Sequence, residues 1–442
     1  VIAVALAIQT PGVQTRIADK AVNALSEKLD GEITFEKIHF KPFTTLVLKN
    51  VVIIDKAPVQ DPLDSTAVQI DTFFRAQYII AKFTLKGLRS QEGIHLDKAT
   101  IKDAEMNLVL EDSTREDKDK FNNLSRIFRL KKKEVKNTSD KELFHIRKVE
   151  INGFTFRMKN YSSKKTPFRG GINWNDLDIS DISLKANELQ FKGGVMSGGL
   201  EELSFREKSG YICHEISGSA KVGNGKTIVK DLKLNDPWSD INIPLFMMSY
   251  SDINAFKDYI AEVRMDAEFS KSVVDFQTIK HFSPQLEDNR LIIDVRSGKF
   301  GGTVDDFTVS DMLVSSRSGG FEGNISGRMI GIPEIEDTSI DAKIQNFTIT
   351  SAGLSHFVTQ WMREGSLDLG KFAPGTAFNI NAHAKGLLNR MDVDADIRSA
   401  IGKVDGKIRL EDIITEGTQI GISGKVSTED LNVGKVIGQK II

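Results

Sequence analysis

In KATIKDAEM, residues 98–106, apolar side chains alternate at Ala99 and Ile101, slip past Asp103 and resume at Ala104 and Met106. Successive side chains of a flat strand point to opposite faces, with a period of two. Ile101 and Ala104 are three residues apart, so they share a face only if the backbone absorbs one residue between them. A β-bulge does this. Asp, Asn and Gly suit the slip because they tolerate the unusual backbone angles such a site can require.

The spelling returns in LVLKNVVI (46–53), VEINGFTF (149–156), LDISDISL (177–184), TIVKDLKL (227–234), FTVSDMLV (307–314), AKIQNFTI (342–349) and IRLEDIIT (408–415). Looser copies are ITFEKIHF (33–40) and VSTEDLNV (426–433). The intervals are irregular, which excludes a solenoid or propeller of fixed repeats. The repeated object is therefore a strand. Bulges bend and coil strands, so a sheet built from these units should be strongly curved.

Composition agrees with a folded, non-enzymatic β protein. The chain has 442 residues, 40% hydrophobic and 27% charged, with a formal net charge of −2. That charge provides no basic field for nucleic acid. The single cysteine, Cys213, allows neither an internal disulfide nor a cysteine metal site. The seven histidines (39, 95, 145, 214, 281, 356 and 383) form no local ligand pair. No GxSxG elbow occurs. GNGKT at 223–227 lacks the upstream glycine of a phosphate loop, having Ala220 there, and reads as a hairpin turning at Asn224-Gly225. Asp392, Asp394 and Asp396 occupy alternate positions, as on one exposed strand face. Neither catalysis nor a cofactor nor a metal is expected.

Along the chain, VIAVALAI has no charge, and 1–9 reads as the end of a transmembrane or signal-anchor helix. Residues 10–31 predict an amphipathic helix, capped by Thr10, entered through Pro11 and ended at Gly31. Its stripe is Val13, Ile17, Ala21, Leu25 and Leu29. Residues 32–250 predict a first β segment, with a charged helical insertion at about 112–142. Within that insertion REDKDKFNNLSRIFRLKKKEV (115–135) runs from acid to base, with Phe121, Leu124, Ile127 and Phe128 as its apolar face. The basic end suits either phospholipid headgroups or plain solvent. Residues 251–290 predict a helical interruption and 291–442 a second β segment.

The expected fold is mainly β: an elongated, curved antiparallel sheet with one apolar and one polar face. Periodicity alone is compatible with a filled core or with an open apolar groove. The entry block VQTRIADKAVNALSEKLDGEITFEKIHFKPFTTLVLKNVVIID (13–55) then resembles the TamB and AsmA-like superfamily of bacterial envelope proteins. An amphipathic helix and a glycine-containing turn precede an "xIxFEKIxF" strand and an "LxLxNVxIxD" strand. SRSGGFEGNISGRMIGIPEI (316–335) and TQIGISGKVSTEDLNVGKVIG (418–438) are similar to the glycine-punctuated strands of TamB.

The resemblance implies an inner-membrane anchor, a periplasmic β-taco with an open apolar groove, and phospholipid movement toward the outer membrane. It also implies a BamA-like outer-membrane barrel as partner. Groove positions expected on this basis flank the slips: Ile33, Phe35, Leu46, Leu48, Ile101, Met106, Ile151, Phe154, Phe156, Ile179, Leu184, Val309, Ile344, Phe347 and Ile349. The late strands add Phe378, Ile380, Met391, Val393, Leu410, Ile420 and Ile422. Two other readings remain: a scaffold for outer-membrane protein assembly whose sheet edge pairs with client strands, and a β-rich surface interaction module.

Overall fold

A computed structural model describes residues 30–41, 44–56, 72–84, 93–110, 122–128, 142–161, 170–252, 255, 258–282, 291–332, 337–355, 376–413 and 420–432. The expected anchor at 1–9 and nearly all of the helix at 10–31 lie outside these residues. So does most of the charged insertion. Of the described residues 74% are in strands. Among them no helix is long and apolar enough to cross a membrane.

The chain forms two compact units, 1–224 with 234–237 and 281–284, and 225–233 with 238–280 and 285–442. Each carries a mostly antiparallel, curved sheet. The first unit holds β1 (Gly31–Thr34), β2 (Lys37–Lys41), β3 (Thr45–Asp55), β4 (Thr72–Phe83), β5 (Ile94–Leu110), β6 (Glu142–Asn160), β7 (Asp176–Lys192), β8 (Val195–Glu207) and β9 (Ile212–Gly223). β1 and β2 both pair with β3, and each later strand pairs with the next. One pair departs from the antiparallel expectation, since β5 and β6 run parallel. Parallel neighbours need a crossover. The insertion between them supplies it and contains helix α1 (Asn123–Ile127).

Helix α1 is seated on the end of the sheet. Asn122 caps it by accepting from Ser125 N at 2.7 Å. Asn123 Oδ1 accepts from Val109 N at 3.0 Å, while its Nδ2 donates to Asn107 O at 2.9 Å. Arg126 donates to the buried Asp55 at 2.5 Å, Ile127 is fully buried, and Phe128 meets Phe73 edge-on at 6.0 Å. Ile127 and Phe128 of the insertion's apolar face are thus spent on packing.

After β10 (Lys226–Asn235), the second unit holds β11 (Asp240–Ser249), α2 (Tyr259–Glu262), β12 (Arg264–Phe269), β13 (Ser272–Asp275) and α3 (Phe276–Ile279). The antiparallel run from β14 (Ile292–Gly302) to β15 (Asp306–Ser316), β16 (Phe321–Ile330), β17 (Ser339–Thr350) and β18 (Ala377–Leu387) follows. It ends with β19 (Arg390–Ser399), β20 (Gly402–Glu411) and β21 (Gly421–Glu429). Asn224 and Gly225, between β9 and β10, take φ of 54° and 70°, as a two-residue type I′ turn requires.

The slips are where the backbone turns left-handed. Asn50, Asp103, Gly153, Asp181, Asp231, Asp311, Asn346, Asp412 and Asp430 all have φ between 48° and 68°. Each sits at the predicted place, and each is exposed beside an apolar residue that turns back to the other face. Only 33–40 differs. There the chain leaves the ladder at Phe35 and Glu36, so the unit becomes two strands, β1 and β2.

The register shows two versions of the step. In β15 the residues Val309 and Met312 face Gly327 and Ile325 of β16, and in β17 Ile344 and Phe347 face Ala382 and Ile380 of β18. Three residues span two, which is a bulge. In β3–β6 the expected bulge is instead a step that neighbouring strands make together. Leu48, Ile79, Ile101 and Ile151 lie in one cross-strand row, and Val51, Ala76, Ala104 and Phe154 in the next. Because all four strands skip two residues there, the ladder stays in register. Gly153 is required at its place, since a Cβ would come within 2.8 Å of Asp103 Oδ1.

Candidate functional site

The steps keep one face apolar from strand to strand. In the first unit Ile33, Ile53, Phe74, Met106, Phe156 and Ile179 form one continuous cross-strand row. Leu48, Ile79, Ile101, Ile151 and Leu184 form a second. Leu46 opposes Ala81, and Phe154 opposes Ile182. In the second unit Met391, Leu410 and Ile422 share a row, as do Val309, Gly327, Ala342, Ala384, Val393 and Ile408. Ile344 opposes Ala382, and Phe347 opposes Ile380. The predicted positions therefore fall into two sets, one in each unit. Phe35 follows β1 and Ile420 precedes β21, so these two lie outside the ladder.

How far this face is covered separates a core from a surface. A core closed by a second layer would bury these side chains almost completely. Nearly all of the predicted positions are instead half-buried. The exceptions are Ile422, which is 64% exposed, and Ile349 and Phe378, which are buried. The last two form a closed cluster with Ile401, against which Phe321, Phe347, Leu354, Ile380 and Ile397 pack. Leu354 comes from a helical turn at 351–355 that folds onto the sheet there. In the first unit the face is most open at the far ends of β5 and β8, where Ile94 is 57% exposed and Met196 is exposed too. Between them Phe144 and Phe191 stack at 6.1 Å.

Two groups of positions escape a reading of sequence. Strand β4 contributes Phe74, Ala76, Ile79 and Ala81, but its run Tyr78-Ile79-Ile80 hides the alternation. A second in-register step crosses β5, β6 and β7 between the rows Leu96, Ile146, Leu189 and Ala99, Val149, Ala186. The spelling apolar–polar–polar–apolar in LDKA, IRKV and ANEL marks it, and Glu188 supplies its left-handed residue at φ 48°.

The opposite face is a ladder of ion pairs. Arg409 grips Asp392 through two bonds of 2.8 and 3.0 Å, and Arg328 grips Asp306 at 2.6 and 2.7 Å. Lys407 pairs with Asp394 at 3.2 Å and Arg398 with Asp396 at 3.0 Å. The aspartate trio is thus spent on three cations. Asp341 accepts from His383 at 2.7 Å and from Lys385 at 2.9 Å, and these bonds hold its carboxyl down at about 2. Exposed pairs of this kind contribute about 0–1 kcal/mol each, so their service is to keep the face polar and in register. A hollow of about 700 Å³ lies on this face of the second unit. Its cations Arg264, Lys299 and Arg328 are paired with Asp266, Glu268 and Asp306, which leaves no excess charge for an anion.

Among the described residues no three His, Cys, Asp or Glu are grouped to hold a metal ion. Cys213 is buried in the first unit beside Asp236; burial first, and that carboxylate second, push its thiol up to about 12. No family model, curated protein or solved structure matches the chain.

Proposed function

We propose that the apolar face is an open groove for phospholipid acyl chains. On this reading the chain is a bridge of the TamB and AsmA-like kind: anchored in the bacterial inner membrane, with its body in the periplasm, it carries phospholipid toward the outer membrane. The observation that supports this is the half-covered state of two continuous apolar rows in each unit, opposite a polar face crossed by ion pairs. Exposing a methylene to water costs about 0.8 kcal/mol, so a sixteen-carbon chain costs on the order of ten. An apolar surface that accompanies the chain along its path removes most of that cost. The face needs only to be apolar and uninterrupted, and no bond in the lipid has to be made or broken. A BamA-like barrel as outer-membrane partner follows from the family resemblance.

The test places a photo-crosslinking residue at Val393, on the apolar face, and at Asp394, on the charged one, in living cells. Val393 is preferred to Ile380, which packs against the closed cluster. Phospholipid adducts at Val393 and not at Asp394 are expected. Adducts confined to this chain at Val393 would mean a filled core, and adducts with another protein would favour the scaffold or interaction module.

A further inference from the structure

We propose that the polar face of the first unit carries a basic contact, built on Lys37, Lys41, Lys49 and Lys102, that docks on the surface of an anionic phospholipid bilayer. The strand register puts Lys37 of β2 opposite Lys49 of β3, Lys49 opposite Tyr78 of β4, and Tyr78 opposite Lys102 of β5. The row continues into Asn152 of β6, so it contains three cations and no acid. Lys37 and Lys102 are exposed, as are His39 and Lys41 further along β2. The Lys49 ammonium lies over the Tyr78 ring, 5.9 Å from its centre.

Like charges directly opposite each other destabilise a sheet unless a counter-charge offsets them. Elsewhere in the same sheet it is offset: Lys82 and Lys98 also face each other, and Asp97 and Glu150 hold them at 2.7 Å each. Among the described residues no acid pairs with Lys37, Lys41, Lys49 or Lys102. Of the neighbouring acids, Glu36 is taken by the amide of Asn50, and Asp103 turns its Oδ1 onto Gly153. What the row lacks is an anion from outside the chain.

A single phosphate cannot satisfy the row. Lys37 and Lys102 are three inter-strand spacings apart, about 14 Å, whereas the ammoniums that hold one anion all lie within hydrogen-bond reach of it. A surface bearing many anions can meet them together. Protein interfaces are depleted of lysine, while lysines around an amphipathic ring suit the headgroup layer. The net charge of −2 supplies no wider basic field for nucleic acid. The charge pattern therefore fits an anionic bilayer.

The test is co-sedimentation of the whole chain, at low salt, with vesicles of equal phosphatidylglycerol and phosphatidylcholine and with phosphatidylcholine alone. Stronger binding to the anionic vesicles is expected, weakened by raised salt. Each lysine near an anionic surface contributes about fivefold. The variant Lys37→Gln/Lys41→Gln/Lys49→Gln/Lys102→Gln should therefore bind at least about a hundredfold more weakly. A charge-matched variant, Lys226→Gln/Lys230→Gln/Lys271→Gln/Lys343→Gln, removes exposed lysines of the second unit and should bind like the parent. Circular dichroism and binding of a fluorescent fatty acid to the apolar face should be unchanged in both variants. Loss of vesicle binding with fatty-acid binding intact separates this contact from the proposed groove. Equal binding to both vesicle types, no binding to either, or equal weakening by the two variants would overturn the proposal. Displacement by inorganic phosphate at constant ionic strength would do so too, since it would mean a single-anion pocket, as would preference for a DNA duplex over the anionic vesicles. A first variant that aggregates yet keeps its vesicle binding would assign the lysines to protection of the sheet and overturn it as well.

Discussion

Replacing Asp103 tests the step from which the fold follows. Its φ of 48° lies in the region where an L-residue with a Cβ loses about 1–2 kcal/mol, a loss that Asp lessens and Gly escapes. Asp103→Val adds β-branching to that backbone, so about 2 kcal/mol is expected, against about zero or a slight gain for Asp103→Gly. The alternative to bearing this strain is for β5 to straighten. That would turn Ala104 and Met106 to the charged face, and would break a row that Val51, Ala76 and Phe154 share with Ala104. Met106 is half-buried, so losing its contacts alone costs about 1 kcal/mol, roughly half of what full burial contributes. Three neighbouring strands would also be left out of register, so the step holds and the strain is borne locally. Amide hydrogen exchange at 101–106 reads that strain directly. Two kcal/mol corresponds to exchange about 30-fold faster in Asp103→Val, with Asp103→Gly unchanged. If Val is tolerated as well as Gly, or if Gly is as damaging as Val, the left-handed step is not what places Ala104.

Other expectations separate covered from uncovered positions. Phe378→Ala, in the closed cluster, should cost about 3–5 kcal/mol, whereas Ile422→Ala should stay within about 0.5 kcal/mol; urea unfolding of the second unit would show equal losses if both sat in one core. Arg126→Ala leaves the buried Asp55 carboxylate without its cation, which should cost about 3–5 kcal/mol and open 122–128 to limited proteolysis; unchanged cleavage would mean that the pair does not hold α1. The Asp341 carboxyl should titrate by NMR at about 2. Because its folded value is depressed, the bonds to His383 and Lys385 contribute above the ordinary carboxylate value of 3.8 and are lost as pH falls through about 2. His383→Ala should move the midpoint upward, and an unmoved midpoint would assign the effect to Lys385 alone. Cys213, buried and with its thiol raised to about 12, should resist iodoacetamide in the folded chain and react on unfolding; rapid labelling of native protein would contradict its burial.

The amino-acid sequence by itself determined where the backbone turns left-handed and which residues share a face. Asn50, Asp103, Asp181, Asp311 and Asn346 announce their conformation because φ preference belongs to the residue and its immediate neighbours. The type I′ turn at Asn224-Gly225 is legible for the same reason. Three features were decided only by the tertiary structure. Whether a slip is a bulge, as at Asp311, or a step shared across β3–β6 depends on what the neighbouring strand does, and that strand can be distant in sequence. The parallel pairing of β5 and β6 depends on a crossover seated by Asp55, which lies 71 residues from its partner Arg126. Coverage is equally non-local: Phe378 and Val393 read alike as apolar strand residues, yet Phe378 is closed in by Ile349 and Ile401 while Val393 remains half-covered. Period and φ are properties of a few adjacent residues, whereas register and burial are set by whichever surface the chain later brings alongside.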